Sequence, residues 1–170
     1  MLLLVTGWPA CGKTFYGDWL ETHRGFRHLD LEATDTASRD LRTLWETDVP
    51  AATAAFVATL RKQHPNWVLT WGAPADCLPR LEAMRAAGFE TWFLLPGNES
   101  RSRQEWLLRA RLIDPEAKPL AWEKKAGEIR KGARDLRKFF RDRCIESLSA
   151  MGERMPCETM AERMGVPAVS

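Results

Sequence analysis

Eight residues near the start of the chain, Gly7-Trp8-Pro9-Ala10-Cys11-Gly12-Lys13-Thr14, fit the pattern G-x-x-x-x-G-K-[ST]. Such a stretch binds phosphate. The glycines let the backbone curl until successive N–H groups point inward at an anion. A helix opening at Lys13 adds its positive N-terminal end. Lys13 supplies a mobile charge for the β- and γ-phosphates of a nucleoside triphosphate, and the Thr14 hydroxyl can ligate Mg²⁺. Gly7, Pro9, Ala10, Cys11, Gly12, Lys13 and Thr14 are therefore the candidate nucleotide-binding residues. Cys11 reads either as a redox-sensitive thiol or as a small residue at an unconstrained loop position. Trp8, at the mouth, either covers the nucleotide or packs beside a lid. The competing reading is a glycine-rich turn with a surface lysine. The apolar strand before the motif and the amphipathic helix after it argue against that.

Two carboxylates come next. Asp30 and Glu32 close a short apolar segment, and alternation along a strand would point both the same way, toward the phosphate loop. Asp30 could take the proton of an acceptor hydroxyl or hold a water on Mg²⁺; Glu32 could take the other task or bind the acceptor. The alternative is a pair of solvated residues at a strand end. Asp35 and Arg39 follow, with a surface ion pair the plainer reading for Arg39. Arg101, Arg103, Arg109 and Arg111 form a cationic stretch later in the chain. Preorganised cations in a dry cleft stabilise charge spreading over a transferring phosphoryl group. Arg109 and Arg111 lie roughly 200° apart around a helix, so they cannot both point one way. Lys118, Lys124 and Lys125 read either as solvated helix charges or as contacts to substrate from a closing lid.

The elements that must position these residues alternate along the chain. Met1–Thr6 is apolar on both faces, as suits a buried parallel strand. A helix from Lys13 to about His23 would carry Phe15, Trp19 and Leu20 on one apolar face, with Gly25 ending it. Strands are expected over 26–31, 67–71, 89–95 and 144–148, and helices over 36–47, 51–63, 75–87, 100–112, 120–143 and 157–164. Pro50 suits the first position of its helix, and Gly88 caps another. Strands alternating with helices predict an α/β fold, a parallel sheet covered on both faces. There is no linker or repeat, so residues 1–170 read as a single domain.

Charge is uneven. Residues 101–143 hold 14 Lys/Arg against 7 Asp/Glu, a net of +7, within a chain whose net charge is only +2. That segment is either a solvated helical face or a place where something anionic is handled. The four cysteines, Cys11, Cys77, Cys144 and Cys157, are widely spaced, which fits neither a disulfide framework nor a zinc site. The opening apolar run is too short for a signal peptide or a membrane span. The expectation is a cytoplasmic protein without membrane attachment. The eight tryptophans are scattered, which points to core and cleft walls.

With Gly7–Thr14 in place, the chain resembles the small P-loop kinases, the superfamily of shikimate, gluconate, adenylate and polynucleotide kinases. The resemblance extends over most of the chain in element order, and only Gly7–Thr14 is highly specific. It implies a three-layer α/β/α P-loop fold with a five-stranded parallel sheet, ATP and Mg²⁺ as donor, and an arginine-bearing helical lid over about 98–125. It places an acceptor site between the second strand and that lid. Asp30-Leu31-Glu32 resembles the D-x-D of shikimate- and gluconate-type kinases. Those kinases also carry a small turn, here Gly72, where larger ATPases place an acid after the third strand. Arg111 best matches the lid arginine, while Asp35 and Arg39 loosely match an Asp and Arg of polynucleotide kinases. The resemblance thus makes Lys13, Asp30, Arg109 and Arg111 catalytic candidates. Thr14 and Asp30 are the metal candidates. Glu32, Asp35, Arg39 and Gly72 are the acceptor-binding candidates. No base-reading motif of a GTPase is present, and the acceptor signatures of shikimate kinase and the long lid of adenylate kinase are missing. The expected activity is phosphoryl transfer from ATP to a hydroxyl of a small molecule or nucleotide, by a monomer or homodimer. Two alternatives stand: a kinase acting on DNA or RNA, and a nucleotide-binding switch without transfer chemistry.

Overall fold

The computed structural model describes residues 1–33, 36–72 and 77–168. Five strands form one parallel sheet: β1 (Leu2–Gly7), β2 (Arg27–Asp30), β3 (Trp67–Trp71), β4 (Glu90–Pro96) and β5 (Cys144–Leu148), in the order β2-β3-β1-β4-β5. The fold is the expected P-loop architecture. β1 sits at the centre, with Leu3, Leu4 and Val5 fully buried, because helices cover both faces. The order reverses beside β1, and the loop after it therefore opens at the crevice where such sheets bind ligands.

The helices are α1 (Lys13–Arg24), α2 (Thr36–Leu44), α3 (Val49–Gln63), α4 (Leu78–Ala86), α5 (Glu99–Ile113), α6 (Leu120–Lys131), α7 (Ala133–Phe140) and α8 (Cys157–Arg163). Local chemistry sets several ends. Asp48 caps α3 by accepting from the Ala51 N–H at 3.1 Å, with Pro50 in the first turn. Asn98 caps α5 by accepting from the Ser100 N–H at 2.8 Å. Gly25 ends α1 in the left-handed region. None of the helices among the described residues is long and apolar enough to cross a membrane.

Two expectations are corrected. α1 buries Tyr16, Gly17 and Leu20, whereas Phe15 is 63% exposed. The spacing of apolar residues could not separate Phe15 from Tyr16, because both are aromatic neighbours near one edge of the stripe. The single helix expected over 120–143 is two helices. It breaks at Gly132, and α7 ends where Arg141 adopts φ 51°. That turn lets Phe140 pack on Phe93 of the sheet, with ring centroids 5.1 Å apart. The expected start of α4 at 75 lies outside the described residues, within which the helix runs Leu78–Ala86.

Candidate active site

The loop between β1 and α1 is built for close approach. Gly7 has φ 139°, and a Cβ there would lie 2.2 Å from the Leu94 carbonyl oxygen. Gly12 and Ala10 also have positive φ, so the chain curls back on itself before α1 begins. Neighbouring elements fix the curl. The Trp8 N–H donates to Leu94 O at 3.0 Å, Ser102 Oγ to Pro9 O at 2.6 Å, and Ser147 Oγ to Cys11 O at 2.8 Å. Arg154 Nη1 donates to Ala10 O at 3.1 Å. With these carbonyls tied outward, the loop N–H groups are left to face an anion.

Lys13 is half-buried and folds over the loop, donating to Gly7 O at 3.3 Å and Trp8 O at 3.0 Å. Burial lowers its pKa from the ordinary lysine value, and Glu32, Cys11 and Asp30 partly oppose that. A partly desolvated cation with carbonyl partners is ready to exchange them for phosphate oxygens. Thr14, at the start of α1, donates from Oγ1 to Asp30 Oδ2 at 3.1 Å. Asp30 Oδ1 accepts from the Glu32 N–H at 2.9 Å, which turns the chain sharply after β2.

These residues open onto a cleft of about 330 Å³. Gly7, Pro9, Ala10, Gly12, Lys13 and Thr14 form its floor; Glu32, Gly72, Trp106, Arg109 and Lys125 stand around it. Glu32 is exposed and lies against Gly72, where an added Cβ would meet its Oε1 at 2.6 Å. Arg109 reaches the cleft from α5. Partial burial and the Arg154 guanidinium lower its pKa from the usual arginine value, while Glu105 opposes that. Cys11 is buried under the loop, and burial pushes its thiol up to about 11.

The structure thus brings together Lys13, Thr14, Asp30, Glu32, Gly72 and Arg109. Arg111 is exposed on α5 and is not among the residues lining the cleft. Arg101 pairs with Glu105 at 3.3 Å and Arg103 with Glu123 at 3.1 Å. Arg39 is exposed on α2, and Asp35 lies outside the described residues. Trp8 packs against Trp122 of α6, with centroids 6.0 Å apart, and so stands beside the lid region.

Several contributors went unread in the sequence. Arg154 holds the loop from beyond β5, and Ser102 and Ser147 hold it from two other elements. Trp122 Nε1 donates to Ser102 Oγ at 2.9 Å and so links α6 to the loop through one hydroxyl. No local signal marks a serine that reaches a carbonyl far away in sequence. Trp106, Phe15 and Ala121 line the cleft as plain apolar residues.

The donors present suit Mg²⁺. Thr14 Oγ1 and Asp30 Oδ2 are hard oxygens side by side at a helix N-terminus, where phosphate oxygens would complete a shell. Among the described residues, no group of three His, Cys, Asp or Glu could hold a metal by itself.

No family profile and no curated protein matches the chain by sequence. Solved structures do match by shape. The tunicamycin resistance protein of Deinococcus radiodurans is similar at TM-score 0.59 with 16% identity, covering 99% of this chain and 98% of that one. A shikimate kinase from Bacteroides thetaiotaomicron matches at TM-score 0.56 and 16% identity, over 96% and 95% of the two chains. A gluconokinase from Sinorhizobium meliloti 1021 matches at 0.54 and 16%, over 96% and 88%. At such identities the likeness shows architecture, and this chain shares the architecture of these three solved structures, two of which are kinases.

Proposed function

We propose that this protein is a Mg²⁺- and ATP-dependent phosphotransferase that moves the γ-phosphoryl group of ATP to a hydroxyl of a small molecule. The observation that carries the reading is the Thr14–Asp30 contact at 3.1 Å beside Lys13 at the mouth of the phosphate loop. Beyond its turn contact with the Glu32 N–H, Asp30 keeps its other oxygen on the Thr14 hydroxyl, next to the phosphate-loop lysine. The gluconokinase and shikimate kinase neighbours are named for small acceptors, which supports a small molecule over a polynucleotide.

In this reading the loop N–H groups and Lys13 grip the β- and γ-phosphates. Mg²⁺, when bound with the nucleotide, supplies charge to the β- and γ-oxygens, and Thr14 and Asp30 are the residues that would hold it. The acceptor hydroxyl oxygen forms a bond to the γ-phosphorus, the bond to the β–γ bridging oxygen breaks, and ADP leaves. Glu32 and Gly72, which line the cleft, are the acceptor-side residues of this reading, with Glu32 taking the hydroxyl proton or orienting the acceptor. Arg109 is placed to stabilise charge on the transferring group. An ATP-consumption screen against sugars, hydroxy acids, nucleosides, antibiotics and oligonucleotides tests this. ADP formation stimulated by a small hydroxylated compound is expected. Stimulation by oligonucleotides alone, weakening steeply with salt, would move the reading to a polynucleotide kinase. ATP binding without turnover on any acceptor would leave a nucleotide switch.

A further inference from the structure

His28 lies outside the cleft, and no step of the proposed transfer uses it. Its side chain is nonetheless only 6% exposed, and both ring nitrogens are engaged. Nδ1 lies 2.8 Å from Asp18 Oδ1, and Nε2 lies 2.9 Å from Thr70 Oγ1. A ring carrying its proton on Nδ1 donates to Asp18 and accepts from the Thr70 hydroxyl, so both contacts are satisfied at once. Asp18 is on α1, His28 on β2 and Thr70 on β3. One ring therefore ties the helix to two strands.

Gly17 shows how tight that tie is. A Cβ there would lie 2.4 Å from His28 Nε2. Glycine inside a helix is destabilising relative to alanine. Here the missing side chain is the space that the ring occupies. The separation of α1 from the sheet is set by an imidazole lying on bare helix backbone.

The same two elements meet again one turn closer to the phosphate loop. Thr14 and Asp18 are four residues apart on one face of α1. His28 and Asp30 are two apart on one face of β2. Asp18–His28 and Thr14–Asp30 are thus consecutive rungs between α1 and β2, the first built on a buried ring and the second at the exposed mouth.

We propose that His28 is a positioning residue: held by Asp18 and Thr70 over Gly17, it sets the separation of α1 and β2 at which Thr14 Oγ1 and Asp30 Oδ2 meet. The proposal rests on the phosphotransferase reading, in which that pair receives the metal-bound nucleotide.

The test is calorimetric titration of the full chain with ATP, with and without Mg²⁺, beside a thermal melt of each variant. Wild type is expected to bind ATP more tightly with Mg²⁺. His28→Ala should lose about tenfold of that metal-dependent gain, the usual low end for removing an outer-shell partner. Its affinity for metal-free ATP should hold, because the loop N–H groups and Lys13 are untouched. His28→Gln, which keeps one hydrogen-bonding arm, should restore part of the gain. Gly17→Ala, pushing on the ring from the helix side, should lower it as His28→Ala does, and it decides the matter if His28→Ala does not fold. A folded variant that keeps the full gain, or one that loses both affinities equally, overturns the proposal and leaves the phosphotransferase reading standing. A wild-type protein that binds no ATP overturns both.

Discussion

Lys125 Nζ donates to the Gly72 carbonyl at 2.6 Å, so α6 is tied to the end of β3 across the cleft. The same ammonium lies 3.6 Å from Glu128, one turn along its own helix. Gly72 is also where Glu32 packs. Gly72 thus meets a cation from the lid side through its carbonyl and a carboxylate from the β2 side where a side chain would stand. Lys125→Met keeps the stem and removes the donor. The acceptor KM should rise about tenfold, as for loss of a hydrogen bond to a charged group. ATP affinity should change little. Steady-state kinetics with the acceptor varied at saturating ATP checks this; an unchanged KM would make the contact a surface tether.

Lys13→Ala should weaken ATP binding and lower turnover by orders of magnitude, because a charge-assisted contact in a shielded site is lost. The fold should survive. In wild type, the lowered pKa of Lys13 gives a sign for pH. Phosphates favour the charged form, so ATP binding should take up protons as pH approaches the lowered value. Affinity should fall on the alkaline side, below the ordinary lysine value of 10.5. Calorimetry in buffers of different ionisation enthalpy measures the uptake directly.

Arg109→Ala should lower kcat by about 10²–10³-fold with a smaller rise in the KM for ATP, since its charge matters most as charge develops. Arg111→Ala should stay within a few-fold of wild type, because Arg111 is exposed away from the cleft. The reverse ranking of kcat values would show that α5 turns its other face inward when substrate binds.

Asp30→Asn should reduce transfer by about 10²–10⁴-fold and blunt the Mg²⁺ dependence, while metal-free ATP affinity stays. Glu32→Gln should act on the acceptor, through its KM or through the pH dependence of kcat. Normal rates in both would remove the β2 carboxylates from the chemistry. Single-turnover measurements separate the two variants most clearly.

Cys11 should be slow to alkylate in the folded protein. Burial pushes its thiol up to about 11, and the thiolate is the nucleophile. Iodoacetamide labelling should accelerate only as pH climbs toward that value, whereas the unfolded chain should label at the ordinary thiol value of 9.0. The linked stability is present below the unfolded value and is lost as pH rises through the folded one. Rapid labelling of native protein at neutral pH would contradict the burial.

Much of this architecture is local and therefore legible. The phosphate loop is contiguous, so Gly7–Thr14 could be read directly, and the β1 and β3 segments announce themselves as short apolar runs. Asp30 was legible because β2 ends close behind the loop, and a strand beside β3 brings that end to the mouth. The split at Gly132 was not legible, since both halves carry helical spacing and only the packing of Phe140 on Phe93 separates them. The choice between Arg109 and Arg111 at the cleft depends on how α5 is rotated, which its docking through Ser102 onto Pro9 decides. Arg154, Ser147 and the Asp18–His28–Thr70 contact join residues distant in sequence, with no pattern along the chain to mark them. The sequence alone determined the phosphate-loop pattern, because that loop is one contiguous turn of backbone. The tertiary structure decided which cations and carboxylates share the cleft, because that depends on where separate elements come to rest.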